Sequence, residues 1–209
     1  KSGVPVLNDI GFGLYLTNRP IIGITGSNGK STVSSLTHHL LKSTGASLSG
    51  NIGYSFFDEI LSNRTSPIVL ELSSFQLREL SNLNIDVTCF MNFSPTHLDY
   101  HLTEEDYFHS KINLFKSQSV DKPFIFNLDD EVVSDTALTR GGNINGFSLE
   151  NPKAPAYFDG KDFYFSREKW FSIDDIQLTG DHNAQNVMAS VLMALNYVDK
   201  ETIISQISS

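Results

Sequence analysis

Cysteine is almost missing from this chain. Cys89 is alone among 209 residues, so no internal disulfide can staple the fold, and a small disulfide-framed domain is excluded. The apolar run around it, Val87-Thr-Cys-Phe-Met91, reads as a strand with a reduced thiol in the core. Clustered basic residues are lacking too. With 15 Lys and Arg against 24 Asp and Glu the net charge is -9, which argues against a nucleic-acid partner, whose phosphates demand grouped cations. No apolar run approaches the roughly 20 residues of a membrane-spanning helix, and no signal-peptide pattern is seen. A cytoplasmic setting without membrane partners is therefore expected. What is present is the composition of a folded domain, 40% hydrophobic and 19% charged, too apolar to stay disordered.

The most informative stretch is Gly23-Ile-Thr-Gly-Ser-Asn-Gly-Lys-Ser-Thr32. Residues 20–25 before it read as a short buried strand. Residues 33–41 after it place Val33, Leu36, Leu40 and Leu41 on one side of a helix. A glycine turn between strand and helix start aims backbone N–H groups and the positive helix end at one point, which suits a polyphosphate. Gly26, Ser27, Asn28 and Gly29 are expected to wrap the phosphates of ATP. Lys30 would reach the β- and γ-phosphates, and the Ser31 or Thr32 hydroxyl would hold Mg²⁺. The stretch departs from G-x-x-x-x-G-K-[ST] in one respect: the first glycine of that pattern falls on Ile24, and the glycine stands at Gly26 instead.

Residues 1–19 have mixed patterning and read as the end of an upstream domain or a linker. From 20 to 209, strand-like runs at 46–49, 67–71, 86–92 and 123–127 alternate with helical spacing. The alternation predicts an α/β domain, a mainly parallel sheet with helices on both faces. Glu71 closes one buried strand, where a carboxylate in a phosphate-loop protein faces the metal, and Ser73 and Ser74 can cap a short helix after it. Asn51 is the one polar side chain in the turn Gly50-Asn-Ile-Gly53. His97 and Asp99 lie in the loop after the strand at 86–92, and Thr103 caps a helix that carries Lys111 among apolar neighbours. Between 144 and 178, Gly and Pro turns separate short aromatic runs, which predicts a small antiparallel addition. A long helix at 182–198 would bury Val187, Val191 and Leu195. His38, His39, His101 and His109 have no evident partners and are assigned to solvated surface.

Together these residues resemble the Mur ligase family. The resemblance rests on the loop 23–32, Gly50-Asn-Ile-Gly53, Glu71-Leu-Ser-Ser-Phe-Gln-Leu77, His97-x-Asp99, Lys111 and Gly180-Asp-His-Asn-Ala-Gln-Asn186, and it runs from about Ile21 onward. Glu71-Leu-Ser-Ser-Phe-Gln-Leu77 is its most discriminating part and points to the branch that joins D-glutamate to UDP-N-acetylmuramoyl-L-alanine. The family plan has three domains, of which this chain resembles the central ATPase; the amino- and carboxyl-terminal ones are expected to be absent. The resemblance implies ATP-dependent amide formation in peptidoglycan synthesis, through an acyl phosphate. It implies Ser31 and Glu71 at one Mg²⁺, and His97 with a carbamylated Lys111 at a second. Carbamylation needs a neutral amine, so burial should lower the pKa of Lys111. Lys30, Lys111 and His97 form the implied catalytic set. Asn51, Ser73, Ser74 and His97 would face the muramoyl substrate, and Asn183 and Asn186 the adenine. A monomer is implied as well. The family loop usually carries an aspartate where this chain has Thr96. Two alternatives stay open: another Mur-type or folylpolyglutamate-type ligase, and a nucleotide-binding module without catalysis.

Overall fold

The computed structural model describes residues 8–208 apart from 63, 79, 81–83, 97–99, 117, 177 and 179. In chain order the elements are α1 (Asp9–Leu16), β1 (Ile21–Thr25), α2 (Lys30–Leu40), β2 (Ser47–Gly50), α3 (Phe56–Leu61), β3 (Ile68–Glu71), α4 (Ser74–Leu77) and β4 (Val87–Phe90). They continue as α5 (Glu104–Lys116), β5 (Phe124–Asn127), α6 (Glu131–Arg140), β6 (Ile144–Ser148), β7 (Ala156–Phe158), β8 (Asp162–Phe165), β9 (Glu168–Ser172), α7 (Asp181–Ala194) and α8 (Lys200–Ile207).

Among the described residues the strands form one sheet in the order β2-β3-β1-β4-β5-β6-β7-β8-β9. Every pairing from β2 to β7 is parallel. Strands β1, β3, β4 and β5 are buried at every position, which is why they read as unbroken apolar runs and not as alternating ones. Residues of β1 divide between two cores. Ile22 and Ile24 join α2, α7 and α8 on one face, while Ile21 joins α1, α3, α5 and α6 on the other. Gly23 lies on that second face, where a side chain would come within 2.8 Å of Leu114. Helix α5 suits its place: Glu104, Glu105 and Asp106 fill its first turn and Lys116 its last, complementing the helix dipole.

Three expectations are revised. The antiparallel addition within 144–178 is present as β7–β9, but its first run, β6, pairs parallel with β5 and extends the main sheet; α6 supplies the crossover that a parallel strand requires. Antiparallel pairing begins only at β7–β8 and β8–β9, joined at Ser166 and Arg167 with φ of 51° and 69°, as a tight hairpin turn demands. Residues 8–19 belong to the domain core: Asn8 caps α1, Ile10 and Leu14 are buried, and Arg19 donates to the Ser66 and Glu59 carbonyls, at 2.8 Å each. Helix α7 ends at Ala194, so Leu195 lies beyond it and is 38% exposed. Its burial is broader than one stripe, taking in residues 186–194 without interruption, because α2, β5, β6 and β7 all pack on it. No helix among the described residues is long and apolar enough to cross a membrane.

Candidate functional site

The strand order reverses direction at β1: chain continuing from β1 builds β2 and β3 on one side and β4 on the other. The carboxyl ends of β1, β3 and β4 therefore open a crevice, the usual ligand position in such sheets. The loop 26–29 occupies it and leads into α2, whose N-cap is Gly29 at φ 81°. A side chain there would sit in the left-handed region and 2.8 Å from Asn186 Oδ1. Glycine meets both constraints.

The loop is held from β4. The Ser27 and Asn28 N–H groups donate to Asn92 O and Oδ1 at 3.0 and 2.8 Å, and Asn92 Nδ2 donates back to Asn28 O at 3.1 Å. Ser27 Oγ donates to Ser94 O at 2.9 Å and also pairs with the Tyr107 hydroxyl at 3.1 Å. These bonds revise the expected donor ring. The Ser27 and Asn28 N–H groups are bonded to Asn92, whereas those of residues 30–32, in the first turn of α2, have no intrahelical carbonyl to satisfy them.

Two lysines converge on one oxygen. Lys30 Nζ, from α2, and Lys111 Nζ, from α5, both donate to Gly26 O at 2.8 Å, and Lys30 also reaches Ser27 O at 3.0 Å. Lys111 is 1% exposed and lies 4.6 Å from the Tyr107 ring centre. Burial, helped by the nearby Lys30 charge, lowers its pKa to about 7. Burial also lowers the pKa of Lys30, against an opposing pull from the Glu71 carboxylate. An anion entering here meets two lysine side chains whose charged forms are disfavoured by burial.

Glu71 ends β3 at 1% exposure. Asn51 Nδ2 donates to its Oε1 at 3.2 Å, while the buried Oε2 has no hydrogen-bond partner. A buried carboxylate oxygen left without a donor is costly, and a hard cation with oxygen ligands removes that cost. Ser31, exposed at the start of α2, adds a hydroxyl of the right hardness. The residues present therefore fit Mg²⁺, although no cluster of three or more His, Cys, Asp or Glu occurs among the described residues. His97, expected at a second metal and at the substrate, lies outside the described residues, as does Asp99.

The other expected residues are placed as follows. Ser73 caps α4 in a reciprocal arrangement with Gln76 and stays half-buried. Ser74 is 3% exposed, and its hydroxyl pairs with His101 Nε2 at 3.0 Å. Asn186 is buried behind Gly29, and its Nδ2 donates to Asn183 Oδ1 at 3.2 Å. Thr32 and Thr96 are exposed, and Thr96 Oγ1 donates to the Tyr107 hydroxyl at 3.0 Å. Three surface assignments are corrected: His101 is 0% exposed, and His38 and His39 are half-buried, their Nε2 atoms 3.1 Å from Ala46 O and 2.8 Å from Gln206 O. The neighbours of His101, Tyr100 and Leu102, are exposed at 50% and 87%, so local sequence disguises it; the imidazole turns inward, where Ser74 bonds its Nε2. Sequence reasoning also passed over Asn92 and Tyr107. A polar residue ending a buried strand beside a phosphate loop was the available signal for Asn92, whereas nothing local marks Tyr107.

A family model described as the Mur ligase middle domain matches residues 24–194. A relative from Oceanobacillus iheyensis named UDP-N-acetylmuramoylalanine--D-glutamate ligase is 38% identical over 215 aligned residues, covering all of this chain and 48% of the relative. Its namesake from Streptococcus pneumoniae (strain JJA) is 34% identical over 213 residues, with coverage of 100% and 47%. The chain thus spans about half the length of the curated relatives it matches. Among solved structures, a UDP-N-acetylmuramoyl-L-alanyl-D-glutamate--2,6-diaminopimelate ligase superposes with a TM-score of 0.76 at 22% identity, over 92% of this chain and 46% of that one. A MurF ligase from Thermotoga maritima in complex with ADP superposes with a TM-score of 0.68 at 22% identity, over 93% and 50%. At those identities the likeness is one of fold.

Proposed function

Since the chain belongs to the Mur ligase middle-domain family, we propose that it is the ATP-binding central domain of a ligase that joins D-glutamate to UDP-N-acetylmuramoyl-L-alanine in the cytoplasm. The observation that carries this reading is the meeting, at adjacent strand ends, of the α2 N-terminus, two lysines on Gly26 O, and the buried Glu71 oxygen without a donor. Names of the relatives support the substrates, and the ADP named for one structural neighbour supports the nucleotide.

In the proposed reaction the muramoyl-alanine carboxylate attacks the γ-phosphorus of ATP, the bond to the β-phosphate oxygen breaks, and ADP leaves. The amine of D-glutamate then adds to the acyl carbon, phosphate departs with its oxygen, and the amine loses a proton. The first step brings two anions together, so fixed positive charge governs its rate. Lys30 supplies that charge beside the phosphates, and the first turn of α2 orients them. Mg²⁺, held by Ser31 and Glu71 with a second ion at His97 and Lys111, would neutralise the phosphate and carboxylate oxygens. Lys111, neutral in part at physiological pH, is suited to take up CO₂ as a carbamate, an oxygen ligand for that second ion. Asn51 and Ser73 line the side of the crevice toward the muramoyl group, and Asn183 and Asn186 the side toward adenine.

Calorimetric titration of the 209-residue chain with Mg²⁺ and a non-hydrolysable ATP analogue tests the nucleotide site. Saturable binding that disappears in Lys30→Ala is expected. Unaltered affinity in Lys30→Ala would falsify the phosphate-loop assignment.

A further inference from the structure

His101 plays no part in the reaction as proposed, yet it is fully buried a few residues from the site. Its Nε2 hydrogen-bonds Ser74 Oγ at 3.0 Å, and its Nδ1 lies 3.5 Å from Asp106 Oδ2, an ion-pair contact longer than a hydrogen bond. The ring stacks on Phe75 at 5.5 Å with planes 19° apart, and it abuts Tyr107 at 5.1 Å. Ser74 opens α4, three positions after Glu71, while Asp106 and Tyr107 stand in the first turn of α5, one turn before Lys111. The imidazole is thus a wedge between the segment that presents Glu71 and the helix that presents Lys111.

Other bonds join the same two helices farther along: Arg78 Nη2 to Asp106 Oδ2 at 3.1 Å, and Asn113 Nδ2 to Leu77 O at 3.0 Å. Those bonds attach at Leu77 and Arg78, the carboxyl end of the single turn of α4. The His101–Ser74 bond attaches at the first residue of α4, three positions from Glu71. A Ser, a His and an Asp in a row also suggest a nucleophile, but the Ser74 hydroxyl is 3% exposed and no substrate carbonyl can approach it. The arrangement serves placement, not attack.

We propose that His101 is a positioning residue, which sets the distance between Glu71 and Lys111 by clamping the first turn of α4 to the first turn of α5. This rests on the reading of Glu71 and Lys111 as the groups that hold the metal ions. Reacting groups held by separate elements lose rate steeply when either shifts, about a hundredfold for 1 Å. A clamp residue at this position is therefore read in turnover and metal dependence.

The test uses the full-length ligase, with nucleotide, acceptor and Mg²⁺ varied in turn. His101→Leu, which keeps the volume and removes both nitrogens, is expected to lower kcat about tenfold and to raise the Mg²⁺ concentration for half-maximal rate several-fold, with KM for ATP within about twofold. His101→Gln, whose amide places a polar atom near the Nε2 position, is expected to recover much of the loss. A folded His101→Leu enzyme with kcat and Mg²⁺ dependence like those of the parent overturns the proposal, even where its melting temperature has fallen. Should that variant not fold, Ser74→Ala removes the partner hydroxyl and is expected to raise the Mg²⁺ requirement in the same way; parent-like dependence there overturns the proposal equally. If the parent itself releases no ADP with its acceptor and D-glutamate, the substrate reading fails, and the clamp is then decided by calorimetry, from whether His101→Leu shifts the Mg²⁺ dependence of ATP-analogue affinity.

Discussion

Lys111 carries the largest consequence of any single side chain in this site. Burial and the Lys30 charge hold its amine near 7, against an ordinary value of 10.5. Between those two values the unfolded chain binds a proton at this position that the folded chain does not. Stability therefore rises with pH across that window through this group and is lowest below about pH 7, where both states are charged. The urea midpoint of the parent should climb between about pH 7 and about pH 9 relative to that of Lys111→Met; parallel pH profiles for the two proteins would remove the low pKa. Much of this residue could be read in advance. An isolated lysine among Phe108, Ile112, Leu114 and Phe115 signals an amine drawn toward a core, and the need for a neutral form predicted the direction of its shift. His101 could not be read, because what buries it comes from Ser74, Phe75 and Asp106 on two other elements.

At the scale of elements, the loop between β1 and α2 is decided by one backbone conformation. Gly29 holds φ 81° with no room for a Cβ beside Asn186. Gly29→Ala should cost about 1–2 kcal/mol from the left-handed conformation alone, and more from the contact, while weakening nucleotide binding. Chemical denaturation with and without the ATP analogue measures both, and a fully stable variant would mean that the loop does not hold this shape. Two helix caps were legible locally, since Ser73 and Thr103 each accept from a backbone N–H in the turn that follows. Strand direction was less so. Residues 144–148 look like the start of an antiparallel unit by their turns and aromatics, yet they pair parallel with β5, because direction depends on the crossover that α6 makes.

For the whole molecule the question is whether the hairpin end of the sheet folds with the nucleotide end. Phe163 and Phe171 sit in the same core as Val33, Val187 and Ile24, so the two ends share one apolar interior. Phe163→Ala should destabilise the protein by about 3–5 kcal/mol in a single transition. Trp170 lies 4.7 Å from the Phe165 ring in the hairpin, and its fluorescence should change together with the far-ultraviolet circular dichroism of the helices. Two separated transitions would show the hairpin to be an independent unit.

The sequence alone determined the fold class and the chemistry at hand: an apolar run closed by Glu71, a glycine loop before a helix, and a lysine in apolar company. These are local signals, because capping, turn geometry and periodicity act over a few residues. Tertiary structure alone decided which groups meet. It brought Lys30 and Lys111 to one carbonyl, turned two loop N–H groups toward Asn92, left one Glu71 oxygen without a donor, and sealed His101 between α4 and α5. Each of these contacts joins elements distant in sequence, and their geometry is set by how helices pack on a twisted sheet, which no local pattern encodes.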